Sequence, residues 1–263
     1  MFDLKTYEEF LSLKLDSVID YEKFNLCAIT NHSTVIEGST LTLEETSLLL
    51  NENLTPKSKE LSHSLMTKDH HEALYYILSL AKNKQLLSEE EIKRVGGLVL
   101  KNTGEIRNTV LGNTDSTKGD YRLFNVRVSE RYFLNFQKVP EAMSEFVSEL
   151  NKKLSTVKEL DTEEKLKISF WAHYTFVSIH PFADGNGRVS RLLMNYVQKY
   201  FNIPLGIVFK QDKLEYYSAL EAARNKADLS PFYKFMFKQY SKFQKEEISL
   251  YKRQENKGFG LLI

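Results

Sequence analysis

Eleven glycines and five prolines are spread thinly over 263 residues, and so little backbone punctuation favours long helices over many short strands. Thr42-Leu43-Glu44-Glu45 has the form of a capping box, in which hydroxyl and carboxylate each satisfy an orphan amide, and it starts a helix through Leu50. Ser88 with Glu91 repeats the device and opens a helix running to about Lys101. Helical spacing predicts further helices over 70–81, 141–154, 162–179, 212–225 and 231–244. Gly38 is a good C-cap and ends a helix begun near Tyr21. Residues 103–136 contrast with the rest, with Gly104, Gly112, Gly119 and alternating Val126 and Val128, and predict a β-hairpin. The expected fold is mainly α, with a helical region at 1–85, a core at 86–244, and a helical, frayed tail at 245–263.

The chemistry concentrates in His-Pro-Phe-Ala-Asp-Gly-Asn-Gly-Arg-Val-Ser-Arg, residues 180–191, where a loop becomes a helix. Val189, Leu192, Leu193, Tyr196, Val197 and Tyr200 mark an apolar face on that helix. Arg188 and Arg191 therefore occupy neighbouring positions in its first turn, where unpaired amides already make the end positive. Cations there destabilise unless an anion joins them. With the amides of Gly185, Asn186 and Gly187 they form a cradle for a multiply charged anion, best a polyphosphate. His180 precedes Pro181 and is expected in extended geometry at the mouth of the loop, with Phe182 pinning the loop into the core. A neutral imidazole there can take a proton from a hydroxyl. Asp184 can hold magnesium, which is content with one carboxylate plus phosphate oxygens and water.

This run resembles the signature of the Fic family, whose best-known members transfer AMP from ATP to protein hydroxyls. Ser33-Thr34-Val35-Ile36-Glu37-Gly38 is similar to the family's inhibitory pattern, and Gly119-Asp120-Tyr121-Arg122 leading into Val126, Arg127, Val128 and Ser129 is similar to its target-binding flap. Tyr216-Tyr217 and the following Leu220-Glu221-Ala222-Ala223 resemble the helix that closes the nucleotide pocket. The resemblance implies a Fic-type helical core with a small hairpin flap. His180 would be the catalytic base, and Asp184, Gly185, Asn186, Gly187, Arg188, Val189, Ser190, Arg191, Tyr216 and Tyr217 would bind Mg·ATP. Asp184 would hold the metal. Glu37, ending a helix whose dipole it opposes, would pair with Arg191 and fill the place of the γ-phosphate, with Ser33 fixing the helix. The implied partner is a protein segment, the chain itself included. Arg224 stands where some relatives carry Asn, which leaves the base contacts open.

Relatives that move UMP or phosphocholine use similar loops, removal of AMP is another option, and a nucleotide sensor would need only the binding half of the site. Gly187 argues against phosphate transfer, since that branch carries Lys there. A net charge of +1 gives no general attraction to nucleic acid or to acidic membranes. No apolar run approaches the ~20 residues that span a bilayer. The single cysteine, Cys27, allows no intrachain disulfide, and the expected compartment is the cytoplasm. His63, His70 and His71 lack regular metal-ligand spacing. The sequence leaves the oligomeric state open.

Overall fold

The computed structural model describes residues 2–17, 20–128, 131–156 and 160–255. Its elements run α1 (Leu4–Ser12), α2 (Tyr21–Ile36), α3 (Leu43–Asn51), α4 (Leu61–Lys82), α5 (Glu89–Val99), β1 (Ile106–Thr109), β2 (Gly112–Asp115), β3 (Arg127–Val128), β4 (Arg131–Tyr132), α6 (Val139–Ser155), α7 (Thr162–Ile179), α8 (Asn186–Tyr200), α9 (Lys213–Asn225) and α10 (Ser230–Glu255). Both capping boxes read from the sequence form, at Thr42/Glu45 and Ser88/Glu91, and a third forms at Asp161/Glu164 at the start of α7. Among the described residues, no helix is long and apolar enough to cross a membrane.

Helix α8 is the axis. It packs against α7, α4, α5 and α2, and every residue from Arg188 to Gln198 is buried. The expected single apolar face of Val189, Leu192, Leu193, Tyr196 and Val197 is fully inside. The opposite face is also covered, so its polar groups find protein partners, as buried groups must. Asn195 Nδ2 donates to the Gly206 carbonyl at 2.9 Å, and Gln198 Oε1 accepts from the Gly206 N–H at 2.8 Å. Arg188 and Arg191 are thus interior residues, not surface ones.

Two helix boundaries differ from expectation for packing reasons. Helix α4 begins at Leu61 rather than 70, its first turns burying Ser64 and Thr67. Helix α10 continues from 244 to Glu255 because α1 lies alongside it. Phe10 meets Phe243 with ring centroids 6.1 Å apart, and Lys245 and Lys252 pair with Asp3 and Glu9. Residues 256–263 of the expected tail lie outside the described residues. The 103–136 region holds two antiparallel pairs instead of one hairpin, β1 with β2 (Ile106 opposite Asp115) and β3 with β4 (Arg127 opposite Tyr132).

The segment between the hairpins docks on α5 at Gly119. This glycine has φ +73°, and a Cβ built there would lie 1.8 Å from the Lys93 carbonyl oxygen. Backbone cannot yield as a side-chain tip does. Gly119→Ala should therefore cost about 2 kcal/mol or more, read as a lower urea midpoint; an unchanged midpoint would remove the close contact from the account.

Candidate active site

Helix α7 delivers its C-cap residue, His180, to the loop. The residue is half-buried, and its backbone N–H still donates to the Phe176 carbonyl at 3.0 Å. The backbone is left-handed, φ 55° and ψ 59°, rather than the extended form that a following proline favours. The helix end explains the difference: a left-handed cap keeps the last amide bonded and turns the carbonyl aside. That carbonyl accepts from Arg122 Nε at 2.8 Å. Above the ring lies Phe133, just beyond β4, with ring centroids 3.9 Å apart. Phe182 does pin the loop: it is 2% exposed, and its ring packs where a side chain at Gly96 would stand. Asn186 closes the turn by accepting from the Phe182 N–H and donating to its carbonyl, each at 2.9 Å.

Helix α8 opens on Gly185 (φ +79°), without a side-chain cap and without an acidic residue in its first turn. Asp184 is mostly exposed; Oδ1 accepts from the Gly185 N–H at 2.6 Å, and Oδ2 lies 3.2 Å from Arg188 Nη2. Arg188 also donates to the Val99 carbonyl at 3.3 Å. Arg191 donates from Nε to Ser33 Oγ at 2.9 Å and from Nη2 to the Ser33 carbonyl at 3.0 Å. The same Nη2 meets Glu37 Oε1 at 2.6 Å. Glu37 is the C-cap of α2, where Gly38 (φ +110°) lets the chain leave the helix. Its carboxylate lies over Gly187, so that a Cβ there would come within 2.5 Å of Oε1. The anion at the start of α8 is therefore the protein's own.

Burial is the strongest single influence on Arg191 and disfavours its cation, but the charge and hydrogen bond of Glu37, together with Tyr216 and Tyr217, outweigh it and hold the guanidinium above its ordinary pKa. Two fully buried histidines respond in the opposite sense. His173 is pushed well below the usual range by burial and by Arg191, and His70 by burial and by Arg191 and Arg188. His173 Nε2 lies 2.9 Å from Tyr216 Oη and 3.3 Å from Ser190 Oγ. Among the described residues, neither ring nitrogen of His70 has a hydrogen-bonding partner.

The structure sorts the residues expected at the site. His180, Asp184, Gly185, Gly187, Arg188, Arg191, Ser33 and Glu37 converge on the start of α8. Val189 is committed elsewhere, since its side chain is in the core and its N–H donates to the Gly185 carbonyl. The Ser190 hydroxyl donates to the Gly187 carbonyl at 2.8 Å. Tyr216 is 1% exposed beside His173, whereas Tyr217 is 42% exposed and close enough to Glu37 and Arg191 to feel their charges. Val126, Arg127 and Val128 lie in the flap, the Val126 carbonyl accepting from the Phe133 N–H at 3.1 Å; Ser129 lies outside the described residues. Sequence reasoning placed Arg122 only within the segment similar to the flap, weighed His70 only as a metal ligand, and assigned no part to His173 or the Val99 carbonyl. No local pattern marks them, because each meets the site through a tertiary contact. Among the described residues no group of three or more His, Cys, Asp or Glu could hold a metal ion.

Comparison with known proteins bears on the family and the fold. Residues 86–198 match the model of the Fic/DOC family. The "Protein adenylyltransferase Fic" of Aedes aegypti is 32% identical over 206 residues, covering 78% of this chain and 38% of that protein. The "Protein adenylyltransferase fic-1" of Caenorhabditis elegans is 32% identical over 209 residues, covering 79% and 38%. A Fic domain containing signaling protein from Bacteroides thetaiotaomicron has the same fold, with a TM-score of 0.77 over 98% of both chains at 22% identity. The chain belongs to the Fic/DOC family. It spans 38% of the length of these two curated relatives.

Two outcomes follow from the buried charges. Alanine in a helix normally gains about 0.5–1 kcal/mol over glycine, yet Gly187→Ala should lower stability by roughly 1–2 kcal/mol because its methyl expels the Glu37 carboxylate. In a Glu37→Gly background the same change should be neutral or stabilising, and urea denaturation of the four proteins reads the reversal; equal effects in both backgrounds would show that Glu37 is not the obstacle. His70 and His173 titrate near pH 6.5 when unfolded but stay neutral in the fold. The folded state thus binds fewer protons. Stability should be fully present above about pH 6.5 and fall as pH drops below it, by about 1.4 kcal/mol per pH unit for each ring. Unfolding free energies measured at pH 7.5 and 5.5 check this, and a flat profile would contradict it.

Proposed function

We propose that this chain transfers AMP from ATP to a hydroxyl on a protein and that Glu37 restrains the reaction. The observation that carries the reading is the start of α8, where two buried arginines each meet an intramolecular carboxylate, Arg188 with Asp184 and Arg191 with Glu37, beside a histidine lying under a flap. The names of the curated relatives support it. ATP would place its phosphates along residues 185–188. Arg188 would steady the β-phosphate, and Arg191 would take the γ-phosphate once Glu37 withdraws. Tyr217, exposed and near that end, would contact the nucleotide.

The exposed Asp184 carboxylate, beside the anion cradle, fits a magnesium ion that completes its shell with phosphate oxygens and water. Bound there, the ion would neutralise phosphate charge. A segment of the target would pair with the edge of β3 and bring its hydroxyl to His180. The His180 ring takes the hydroxyl proton, the oxygen attacks the α-phosphorus, and the bond to the bridging oxygen breaks to release pyrophosphate. Base catalysis contributes on the order of 10²–10⁴, and positioning supplies most of the remainder. With Glu37 docked, its carboxylate and a γ-phosphate compete for Arg191, so the α-phosphate cannot settle in line.

Incubation with α-labelled ATP tests the proposal. Transfer to protein should rise at least tenfold in Glu37→Gly and vanish when His180→Ala is added. Label arriving only from the γ position would mean kinase chemistry, transfer from UTP alone would mean uridylylation, and binding without transfer would leave a sensor.

A further inference from the structure

Arg122 is among the largest fully buried side chains, 1% exposed, and among the described residues no carboxylate pairs with it. A buried cation without a counter-ion is costly unless its donors are satisfied by fixed dipoles. Here every acceptor is main chain. Nε donates to the His180 carbonyl at 2.8 Å and Nη1 to the Phe124 carbonyl at 2.8 Å. Nη2 donates to the Leu134 carbonyl at 2.5 Å and lies 3.5 Å from that of Ile179. Its own N–H donates to the Pro181 carbonyl at 2.9 Å.

Two of these acceptors end α7, where unpaired carbonyls favour a cation. The other two are the stems of the flap, Phe124 leading into β3 and Leu134 following β4. A rigid five-donor fork can join both sets, whereas the compact ammonium of lysine cannot. The strained φ of His180 sits at this junction, against the extended preference imposed by Pro181.

We propose that Arg122 is a positioning residue: it holds His180 in its left-handed conformation and ties the flap stems to that ring, so that flap and base move as one unit. The role in transfer rests on the function proposed above, with His180 as base. Arg122 touches neither nucleotide nor target. It acts through the His180 carbonyl on one side and the two hairpin stems on the other.

Two measurements decide it. In the Glu37→Gly background, Arg122→Lys should lower kcat about a hundredfold while leaving Mg·ATP affinity, by calorimetry, within threefold. Arg122→Met should behave alike, and loss of affinity in proportion to kcat would show only general damage and overturn the proposal. Residue-resolved hydrogen exchange on the unsubstituted protein needs neither variant to fold. The amides of His180 and Phe133 should open with the same free energy, and flap opening that leaves the His180 amide protected would overturn the coupling. If the Glu37→Gly parent itself transfers nothing, the proposed function fails, and exchange still decides whether Arg122 links flap to base.

Discussion

A guanidinium at the positive end of a helix cannot be left unpaired in a protein interior, and Arg191 makes the rest of this site a consequence of that rule. It is buried, it stands in the second turn of α8, and the turn before it supplies no acidic residue. Removing the partner of a buried ion pair typically costs about 3–5 kcal/mol, so the fold requires an anion here whatever the protein does. Glu37 supplies it from another helix. On the proposed reading ATP does not open an empty site but exchanges one anion for another, and the exchange is nearly balanced in charge. A restraint of this kind needs no strained conformation.

The same positive charge dictates the chemistry of its surroundings. His70 and His173 are buried close to it, and both remain neutral because a further cation there would be repelled as well as desolvated. Further along α8, Asn195 and Gln198 are uncharged and are satisfied by their links to Gly206. The ion pairs at the start of α8 are those of the two motif arginines with Asp184 and Glu37. On the proposed reading these two cations favour an anionic ligand there.

What could be read in the chain follows the range of each interaction. The boxes at Thr42 and Ser88 are four-residue devices and predicted helix starts correctly. The bounds of α7 also agree with expectation, because Asp161 and His180 cap the helix at either end. The Glu37–Arg191 pair, separated by 154 residues, was legible through the resemblance of residues 33–38 to the family's inhibitory pattern, with the opposed helix dipoles as support. Arg122 gave no such signal. Its partners are carbonyls, which every residue possesses, and nothing in composition or period distinguishes the ones it meets. The conformation of His180 was missed for the same reason, since a local proline rule was overruled by contacts between distant segments. Helix α10 outran its expected end because α1, at the opposite end of the chain, covers its last turns.

How the restraint could be lifted follows from where Arg191 is held. Two of its bonds run to the hydroxyl and carbonyl of Ser33, in the body of α2, and only the third runs to Glu37 at the cap. The Glu37 side chain is 27% exposed, and Gly38 has already taken the chain out of the helix. Rotating that one side chain outward would therefore free one N–H of Arg191 Nη2, which stays bonded to the Ser33 carbonyl, without unseating the helix or the arginine. Ser33 would go on aiming Arg191 at the same point, now available to a phosphate. Dislodging α2 as a whole would be self-defeating, since it would release the geometry that makes Arg191 useful. On the proposed function, the device that restrains the site and the device that shapes it belong to one helix, and only its last residue needs to move.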